Sequence, residues 1–254
     1  MGINPGAIET GDGFDVRSLG ISFHDGYVIA RHDHPWGQLI YGTSGVMRVI
    51  AENVVWFVPP TRAVWLPPRR FHSITMQGEV DMRTLYLSPS RAGGLMDEIT
   101  ALEVSPLLRE IILYIQQLGM LEQGNQQHNR LAGLLVDLVL KAPIGNLCLA
   151  LPKDSRAASV ANWFQQNPGE HSNLATIALR HGSSLRTMQR LFACETGLSL
   201  DAWRQKSRLI HAVTRLTAGI SVSETGLSCG YESTSAFITA FKKQFGVTPG
   251  RYKA

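Results

Sequence analysis

The chain has little cysteine and no long apolar run, and both shortages exclude classes of protein. Its three cysteines, Cys148, Cys194 and Cys229, lie far apart in the 254 residues. They fit neither a disulfide framework nor a metal-ligand motif, and such sparse usage is typical of a reducing cytoplasm. No apolar run approaches the ~18 residues of a membrane span. The first residues also lack the basic and apolar regions of a secretory signal, so the sequence predicts a cytoplasmic protein without a membrane partner.

Charge is modest over the whole chain but is distributed unevenly along it. The 24 Lys+Arg and 20 Asp+Glu give a formal net charge of +4. Residues 153–254 carry 13 Lys+Arg and 6 Asp+Glu, whereas residues 1–152 carry 11 and 14. The length allows two domains with separate cores. A basic half joined to an acidic half is typical of a DNA-binding domain attached to a sensor domain.

The first ninety or so residues have the composition of an all-β domain. The segments 38–41, 46–50, 54–58 and 83–87 are short and rich in β-branched and aromatic residues, with Gly, Pro and Asn between them. Several short strands at this spacing favour an antiparallel sandwich or barrel. We therefore predict a sensor barrel over residues 1–94.

Residues 95–152 have helical periodicity and form a predicted dimerisation and linker region. Ser105 followed by Pro106 is typical of a helix start. Two amphipathic stripes follow, and they either pack back on the sheet or pair with a second copy of the chain. Pro and Gly between residues 142 and 155 indicate a linker. The stripe residues are Leu107, Leu108, Ile111, Ile112 and Ile115, then Leu131, Leu134, Leu135, Leu138 and Val139.

The last hundred residues contain one pattern twice, at a constant offset of 49 residues. The first copy covers 184–192 and ends at Gly197, and the second covers 233–241 and ends at Gly246. A small polar cap, buried apolar spacing and a terminal glycine mark a repeated helix-turn-helix unit. We predict two such units, at about 173–197 and 222–246, within an all-α DNA-binding domain over 153–254. A helix carrying residues 213–216 would join them.

The first unit presents the residue types that read base edges. Ser184 caps its second helix, and Met188, Leu191 and Phe192 face the core. Arginine pairs bidentately with guanine and glutamine with adenine in the major groove, although both residue types also suit an ordinary solvated helix face. The predicted base-contacting residues are Arg186, Thr187, Gln189 and Arg190.

The second unit lacks such forked donors and favours electrostatic anchoring. Its inward residues are Phe237, Ala240, Phe241 and Phe245. Hydroxyl groups discriminate bases weakly, and lysine meets phosphate mostly as a point charge. The predicted base contacts are Thr234, Ser235, Ile238 and Thr239, and the predicted backbone contacts are Lys242 and Lys243 with the caps Ser184 and Ser233.

Residues 155–254 resemble the AraC/XylS family of bacterial transcription regulators. The resemblance rests on Ser184-x-Arg-x-Met-Gln-Arg-Leu-Phe followed by Glu-Thr-Gly-Leu-Ser, and on Gly230-Tyr-Glu-Ser through Phe241-Lys-Lys-x-Phe-Gly-x-Thr-Pro-x-x-Tyr. It implies two helix-turn-helix units that bind adjacent major-groove segments through the contacts named above. Thr239 stands where the family often has Arg, which argues against strong base readout by the second unit. The chain also ends without the Arg often found after Tyr252.

The β half is similar to the cupin barrel in the placement of its histidines. His32 and His34, at i and i+2 of a predicted strand, would share a face. The cupin motif, His-x-His with a later Glu and a further His, implies a divalent transition metal bound by His32, His34, Gln38 and His72. Gln38 replaces the usual Glu, and Arg69 stands where Gly is frequent. The alternative is that the histidines line a polar patch of a metal-free sensor pocket.

Aromatic residues of the β half are the candidates for an effector pocket. They favour an apolar or aromatic effector held by a few polar groups, whereas plain core packing is the alternative for some of them. The candidates are Trp36, Tyr41, Trp56, Trp65 and Phe71.

Together these features predict a transcription regulator that binds double-stranded DNA and responds to a small-molecule effector. A homodimer is expected, and RNA polymerase is a further candidate partner. We predict no enzymatic activity, but the histidines leave open a metal-dependent cupin enzyme with an appended DNA-binding domain. A third hypothesis is a constitutive DNA-binding protein whose β domain only dimerises.

Overall fold

The computed structural model describes residues 13–145 and 147–252. The chain divides into two compact units. The first contains the residues up to Glu52 together with Trp56–Leu147, and the second contains Asn53–Val55 and the residues from Cys148 onward. No helix in the described ranges has the length and apolar character that crossing a membrane requires.

The β half consists of two sheets whose assigned strand pairs are antiparallel. The strands are β1 (Phe14–Phe23), β2 (Val28–His32), β3 (Gly37–Ile40), β4 (Val46–Ala51), β5 (Val54–Val58), β6 (Arg62–Leu66), β7 (His72–Gln77), β8 (Val80–Leu87), β9 (Thr100–Glu103), β10 (Met120–Glu122) and β11 (Cys148–Ala150). One sheet has the order β10-β1-β8-β3-β6-β9, and the other has the order β11-β5-β4-β7-β2. The predicted β architecture is confirmed.

Alternate residues of the strands face two different cores because successive side chains point to opposite sides of a sheet. Ile40 of β3 and Val64 and Leu66 of β6 belong to the core between the two sheets. Ala63 and Trp65 of β6 point the other way, into a core shared with helices. Full burial of each large apolar side chain contributes about 1.5–3 kcal/mol.

Helices cover the outer face of the first sheet. They are α1 (Pro89–Ala92), α2 (Pro106–Leu118) and α3 (Gln126–Lys141). Ser105 caps α2 as predicted, since its side chain accepts a hydrogen bond from the Leu108 backbone N–H. The buried sides of α2 and α3, including Ile112 and Leu135, pack with residues of β1, β6 and β8. One of the two alternatives for the apolar stripes, packing on the sheet, is therefore observed.

The region predicted as helical and linker also contains three strands. β9 pairs with β6, and β10 pairs with β1. β11 lies inside the predicted linker, where Leu149 is fully buried. Each of these strands has only three or four residues. Such a segment is too short to show a period of two, so tertiary pairing decides its conformation.

Apart from β11 and the first residues of β5, the second unit is helical, and it contains the predicted repeat. Its helices are α4 (Ser155–Gln166), α5 (Leu174–Arg180), α6 (Leu185–Thr196), α7 (Leu200–Thr217), α8 (Val222–Ser228) and α9 (Thr234–Phe245), followed by a 3-10 helix at Pro249–Tyr252. The pairs α5–α6 and α8–α9 are the two helix-turn-helix units, and α7 is the expected joining helix.

Matching caps begin and end the second helix of each unit. The Ser184 side chain accepts from Thr187 N–H, and the Ser233 side chain accepts from Ala236 N–H. Gly197 and Gly246 end α6 and α9 in the left-handed conformation, which glycine adopts without steric cost. The repeat in the sequence is therefore a repeat in the structure.

Candidate functional site

Three histidine side chains of the first unit meet in one cluster. The candidate ligand atoms of His32, His34 and His72 all lie within 4.8 Å of one another. The ring centroids of His32 and His72 are 4.3 Å apart, and those of His34 and His72 are 5.2 Å apart. His34 lies in the connection after β2 rather than on the strand that the sequence predicted. The backbone of this connection nevertheless directs the His34 ring toward His32 and His72.

A β-bulge in β2 brings His32 into this cluster. Ile29 pairs with Ile74, a register that would place Arg31 opposite His72. The register shifts between Ile29 and His32, so His32 lies opposite His72 instead. Directly opposite residues of an antiparallel pair share a face. The extra residue therefore puts both imidazoles on the same side of the sheet.

Arg69, which precedes the last histidine of the cluster, occupies a backbone conformation that favours glycine. Its φ angle is 63°. A side chain at such an angle costs on the order of 1–2 kcal/mol relative to glycine. The Arg69 backbone N–H donates to the His34 carbonyl over 2.9 Å. This hydrogen bond ties the two histidine-bearing segments together and compensates part of the cost.

A backbone carbonyl orients each ring of the cluster. The Nδ1–O distances are 2.8 Å for His32 to Ala30, 2.7 Å for His34 to Trp36 and 2.9 Å for His72 to Arg70. A carbonyl oxygen only accepts, so each Nδ1 carries the proton and donates it, which leaves the lone pair of a neutral ring on Nε2. Within the described part of the chain, the buried His72 Nε2 has no hydrogen-bond partner.

Gln38 lies at the edge of the cluster, with its Oε1 atom 3.0 Å from His34 Nε2. The amide Nε2 of Gln38 donates to Thr84 Oγ1 over 3.0 Å and to the Tyr86 hydroxyl over 3.2 Å. When the His34 ring is neutral and its Nδ1–H donates to the Trp36 carbonyl, its Nε2 atom is an acceptor. This acceptor then faces a second acceptor, the Gln38 Oε1 atom. Turning the amide round would relieve this contact but would remove the donated bond to Thr84, whose own hydroxyl donates to the Leu39 carbonyl.

Burial favours the neutral forms of His34, His72 and Tyr86. Desolvation is the main cause that lowers the pKa of His72 to about 3, and the neighbouring histidines lower it further. Burial also lowers the pKa of His34 and raises the pKa of Tyr86. At neutral pH the site therefore offers the uncharged imidazoles of His34 and His72, a phenol and an amide. Neutral imidazole is the form that binds transition metals.

A cavity of about 220 Å³ adjoins the histidine cluster within the first unit. Its walls are mostly apolar. Of its polar side chains, His32, Gln38 and Tyr86 belong to the cluster or contact it, and Tyr27 adds a second phenol. This combination is typical of a small-molecule site. The lining residues are Leu19, Tyr27, Val28, Ile29, Ala30, His32, Gln38, Ile74, Met82 and Tyr86.

The five aromatic residues predicted to form an effector pocket do not line this cavity. Tyr41 and Trp65 are fully buried in the core beneath α2 and α3, because strand alternation points them to the outer face of the sheet. Trp36 is fully buried, and Trp56 packs at the edge of the inner core. Phe71 is half exposed, and the Arg31 guanidinium lies 4.3 Å from its ring centroid.

Tyr27, Thr84 and Tyr86 belong to the site but were missed by the sequence reasoning. Thr84 and Tyr86 alternate with Leu85 and Leu87 in β8, so strand parity alone places their side chains on the face opposite to the leucines. That signal was available in the sequence. Tyr27 precedes β2 in a turn, and nothing in its local pattern indicated a place at the cavity.

In the second unit, α6 has a core side and a polar side as predicted. Met188 and Phe192 are fully buried and Leu191 nearly so, whereas Arg186, Gln189 and Arg190 are exposed. Thr187 is half-buried, and its hydroxyl accepts a hydrogen bond from Ser184 over 3.0 Å. Among the described residues, neither arginine has a hydrogen-bond or ion-pair partner, so both guanidinium groups are free to meet a ligand.

The corresponding side of α9 carries small polar groups and two lysines. Phe237 and Phe241 are fully buried, while Ala240 and Phe245 are only half-buried. Ser235, Thr239, Lys242 and Lys243 are exposed, and Thr234 and Ile238 are half-buried. The Thr239 hydroxyl donates to the Ser235 carbonyl within the helix. An open groove beside this side also includes Asp201 and Gln205 of α7, which the sequence reasoning did not single out.

Comparison with known proteins matches both halves. The family model described as an AraC-like ligand binding domain matches residues 16–158, and a helix-turn-helix domain model matches residues 177–254. The HTH-type transcriptional regulator NimR of Escherichia coli (strain K12) is 35% identical over 223 residues, which cover 88% of this chain and 81% of that protein.

Other similar proteins match about two fifths of the chain. The HTH-type transcriptional regulator RipA of Corynebacterium glutamicum is 33% identical over 102 residues, which cover 40% of this chain and 31% of that protein. The solved DNA-binding domain of AdpA in complex with a target DNA is 31% identical, covers 38% of this chain and 88% of that chain, and has a TM-score of 0.36. Because one family model spans more than half of the chain and NimR aligns with most of both proteins, the chain belongs to the AraC family of transcriptional regulators, with an N-terminal ligand-binding domain and a C-terminal helix-turn-helix DNA-binding domain.

Proposed function

We propose that the exposed sides of α6 and α9 contact the operator DNA, and that the cavity beside His32 binds the effector. The observation that carries the DNA assignment is the repeated pair of capped helices, each with one side in the core and one polar side exposed. α7 has 18 residues and joins the pairs. At 1.5 Å per residue it is roughly 27 Å long, comparable to the ~34 Å between successive turns of the major groove.

The two units divide the work of recognition. Arg186, Gln189 and Arg190 read base edges as forked donors and acceptors, with Thr187 beside them. On α9, hydroxyl and methyl groups give weaker base contacts. Phosphate contacts come from the lysines and from the exposed helix starts. The proposed α9 base contacts are Thr234, Ser235, Ile238 and Thr239, and the proposed backbone contacts are Ser184, Ser233, Lys242 and Lys243.

Strand β8 links the effector cavity to the helices at residues 105–141. Met82 and Tyr86 line the cavity, whereas Leu85 and Leu87 on the other face pack in the core shared with α2 and α3. Gln116 of α2 also donates to the Thr84 carbonyl over 3.0 Å. A ligand that moves β8 therefore acts on α2 directly, and the effector would shift the population of DNA-binding arrangements through these helices.

We further propose a homodimer, in which the exposed apolar stripes of α2 and α3 meet a second copy. On α2, Leu107, Tyr114 and Leu118 are spaced at i, i+7 and i+11 and are 55%, 51% and 42% exposed. On α3, Leu134 and Leu140 are 41% and 49% exposed. These side chains lie on the flanks of the helices, beside the residues that face the sheet, and exposed apolar residues of this kind mark protein interfaces.

The β domain, in this proposal, binds its effector without transforming it, since the relatives named above are regulators. RNA polymerase is the proposed partner of the DNA-bound protein, and the cytoplasm is its proposed location.

Occupancy mapping on cellular DNA tests this function. A tagged wild-type protein is compared with the double variant Arg186→Ala/Arg190→Ala and with Arg130→Ala, an exposed arginine of α3. We expect sharp sites for the wild type and for Arg130→Ala, and their loss in the double variant. Equal occupancy by all three proteins would refute the assignment of α6.

A further inference from the structure

We propose that Glu195 is a positioning residue for DNA recognition, which holds α6 in place by binding the backbone at Lys153 and Asp154. The inference goes beyond the proposed function and rests on one part of it, the assignment of α6 to the operator. The Glu195 Oε2 atom accepts a hydrogen bond from the Lys153 backbone N–H over 2.6 Å and from the Asp154 backbone N–H over 3.0 Å. Hydrogen bonds to an ionised carboxylate are short and strong, so two of them define the position of α6 against this backbone.

The bond to the Asp154 backbone completes a helix cap that α4 cannot complete by itself. The side chain of Asp154 caps α4 by accepting from the Arg156 and Ala157 backbone N–H groups. In a capping box, a Glu or Gln at the third helical position reaches back to the backbone N–H of the capping residue. Ala157 stands at that position and has no side-chain acceptor. Glu195, 41 residues further along the chain, supplies the acceptor instead, and its negative charge suits the start of a helix.

Trp203 makes a second connection between this segment and α6. Its indole N–H donates to the Ala150 carbonyl over 2.7 Å. Its ring lies edge to face against Phe192 of α6, with the ring centroids 5.4 Å apart, and both side chains are fully buried. Residues 150–154, through which the chain enters the DNA-binding domain, therefore hold α6 at two places, Phe192 and Glu195.

The charge of Glu195 separates a positioning role from a direct electrostatic one. DNA is a polyanion, so a carboxylate on a DNA-reading helix weakens binding by its charge alone. A residue that positions α6 has the opposite effect, because hydrogen bonds to base edges depend on the distance and angle at which the helix presents its side chains. The two roles therefore predict changes of opposite sign when Glu195 is replaced.

Two replacements of Glu195 separate the reach of its side chain from its charge. Glu195→Asp keeps the charge but is one methylene shorter, whereas Glu195→Gln keeps an acceptor oxygen at the same reach without the charge. The full-length proteins are titrated with an operator from the mapped sites and with a library of its single base-pair changes. We expect Glu195→Asp to weaken operator binding roughly fivefold or more and to flatten the preferences assigned to α6. Glu195→Gln should keep these preferences and bind at least as tightly as the wild type.

Wild-type affinity and preferences in Glu195→Asp would overturn the proposal. A loss of preference in Glu195→Gln as large as that in Glu195→Asp would also overturn it, because the retained acceptor would then have no effect.

Asp154→Ala is the matched control for stability. It removes the side-chain cap of α4 but leaves the backbone N–H groups that Glu195 binds. It should lower the midpoint of chemical unfolding at least as much as Glu195→Asp does, and it should leave the base-pair preferences unchanged. An equal loss of preference in Asp154→Ala would make lost stability the cause and would refute the positioning role.

The double variant Arg186→Ala/Arg190→Ala, measured in parallel, distinguishes this inference from the proposed function. Full operator binding by the double variant would refute the assignment of α6 to DNA. Loss of binding by the double variant, together with unchanged binding by Glu195→Asp, would refute the role of Glu195 alone.

Discussion

Arg190 is the residue from which we expect the sharpest effect on sequence discrimination. It is exposed on α6 one residue after Gln189. Arg190→Ala should raise the dissociation constant for the operator and flatten the preference at one or two base pairs, by about 1–3 kcal/mol per discriminated position. Quantitative binding to a library of operators with single base-pair changes measures this. An equal loss on every sequence would assign Arg190 to phosphate contact instead.

Lys242→Ala is the matched variant on the second unit. Its ammonium is exposed in the last turn of α9 and meets phosphate as a point charge. Binding should weaken uniformly across the same library, and the slope of log K against log salt should fall by about 1. A change confined to particular base pairs would contradict the division of labour between the two units.

The cysteines should differ strongly in reactivity because their environments differ. Cys229 is fully buried, and burial raises the pKa of its thiol to about 11, whereas Cys194 is exposed. Only the thiolate reacts, so at pH 8 the folded protein should be alkylated at Cys194 well before Cys229. Mass spectrometry of peptides from a timed iodoacetamide reaction measures both rates. Unfolding in urea should bring the two rates together, and similar rates without urea would contradict the buried position.

At the scale of the element, the contact between α8 and α9 depends on a glycine. A Cβ added at Gly226 would lie 3.0–3.1 Å from atoms of the fully buried Phe237. Gly226→Ala should therefore destabilise the protein, because overpacking costs about 1–3 kcal/mol and outweighs the ~1 kcal/mol gain in helix propensity. The midpoint of chemical unfolding measures it. Weaker operator binding should accompany the loss, since α9 must shift.

Gly133→Ala is the control for the previous change. Gly133 lies within α3, and a Cβ there meets no heavy atom within 4 Å. With no clash, only helix propensity acts, and we expect a stabilisation of about 1 kcal/mol. Destabilisation by Gly133→Ala equal to that of Gly226→Ala would show that the Phe237 contact is not the cause.

Elements with a strong local signal could be predicted from the sequence, and those without one could not. The caps at Ser105, Ser184 and Ser233 and the apolar spacing of α6 and α9 are local, and the structure contains them. Tyr41 and Trp65 were predicted to line the effector pocket. The sequence indicates the β segments that carry them, but not which face of the sheet points to the inside of the β domain. Only the packing of α2 and α3 on one sheet decides that, and this is tertiary information.

The whole molecule is proposed to act as a homodimer, and a charge on α2 should prevent it. Tyr114 is 51% exposed in the middle of the stripe. Tyr114→Glu should shift the sedimentation coefficient to that of a monomer, since a buried carboxylate without a partner costs several kcal/mol. His24→Glu, an exposed position between β1 and β2, should leave the dimer intact. A monomeric wild type at micromolar concentration would refute the homodimer.

The bulge in β2 has a consequence for how much change in chain length the protein tolerates. Up to Ile29 the residues of β2 pair with β7 in one register, and from His32 onward they pair in a register shifted by one residue. One extra residue in β2 accounts for this shift. Deleting Ala30 would therefore restore a continuous ladder and still leave the two histidines facing each other. Deleting Asp33 would instead shorten the two-residue step that carries His34 to the cluster. The three histidines should therefore still meet after deletion of Ala30, but not after deletion of Asp33.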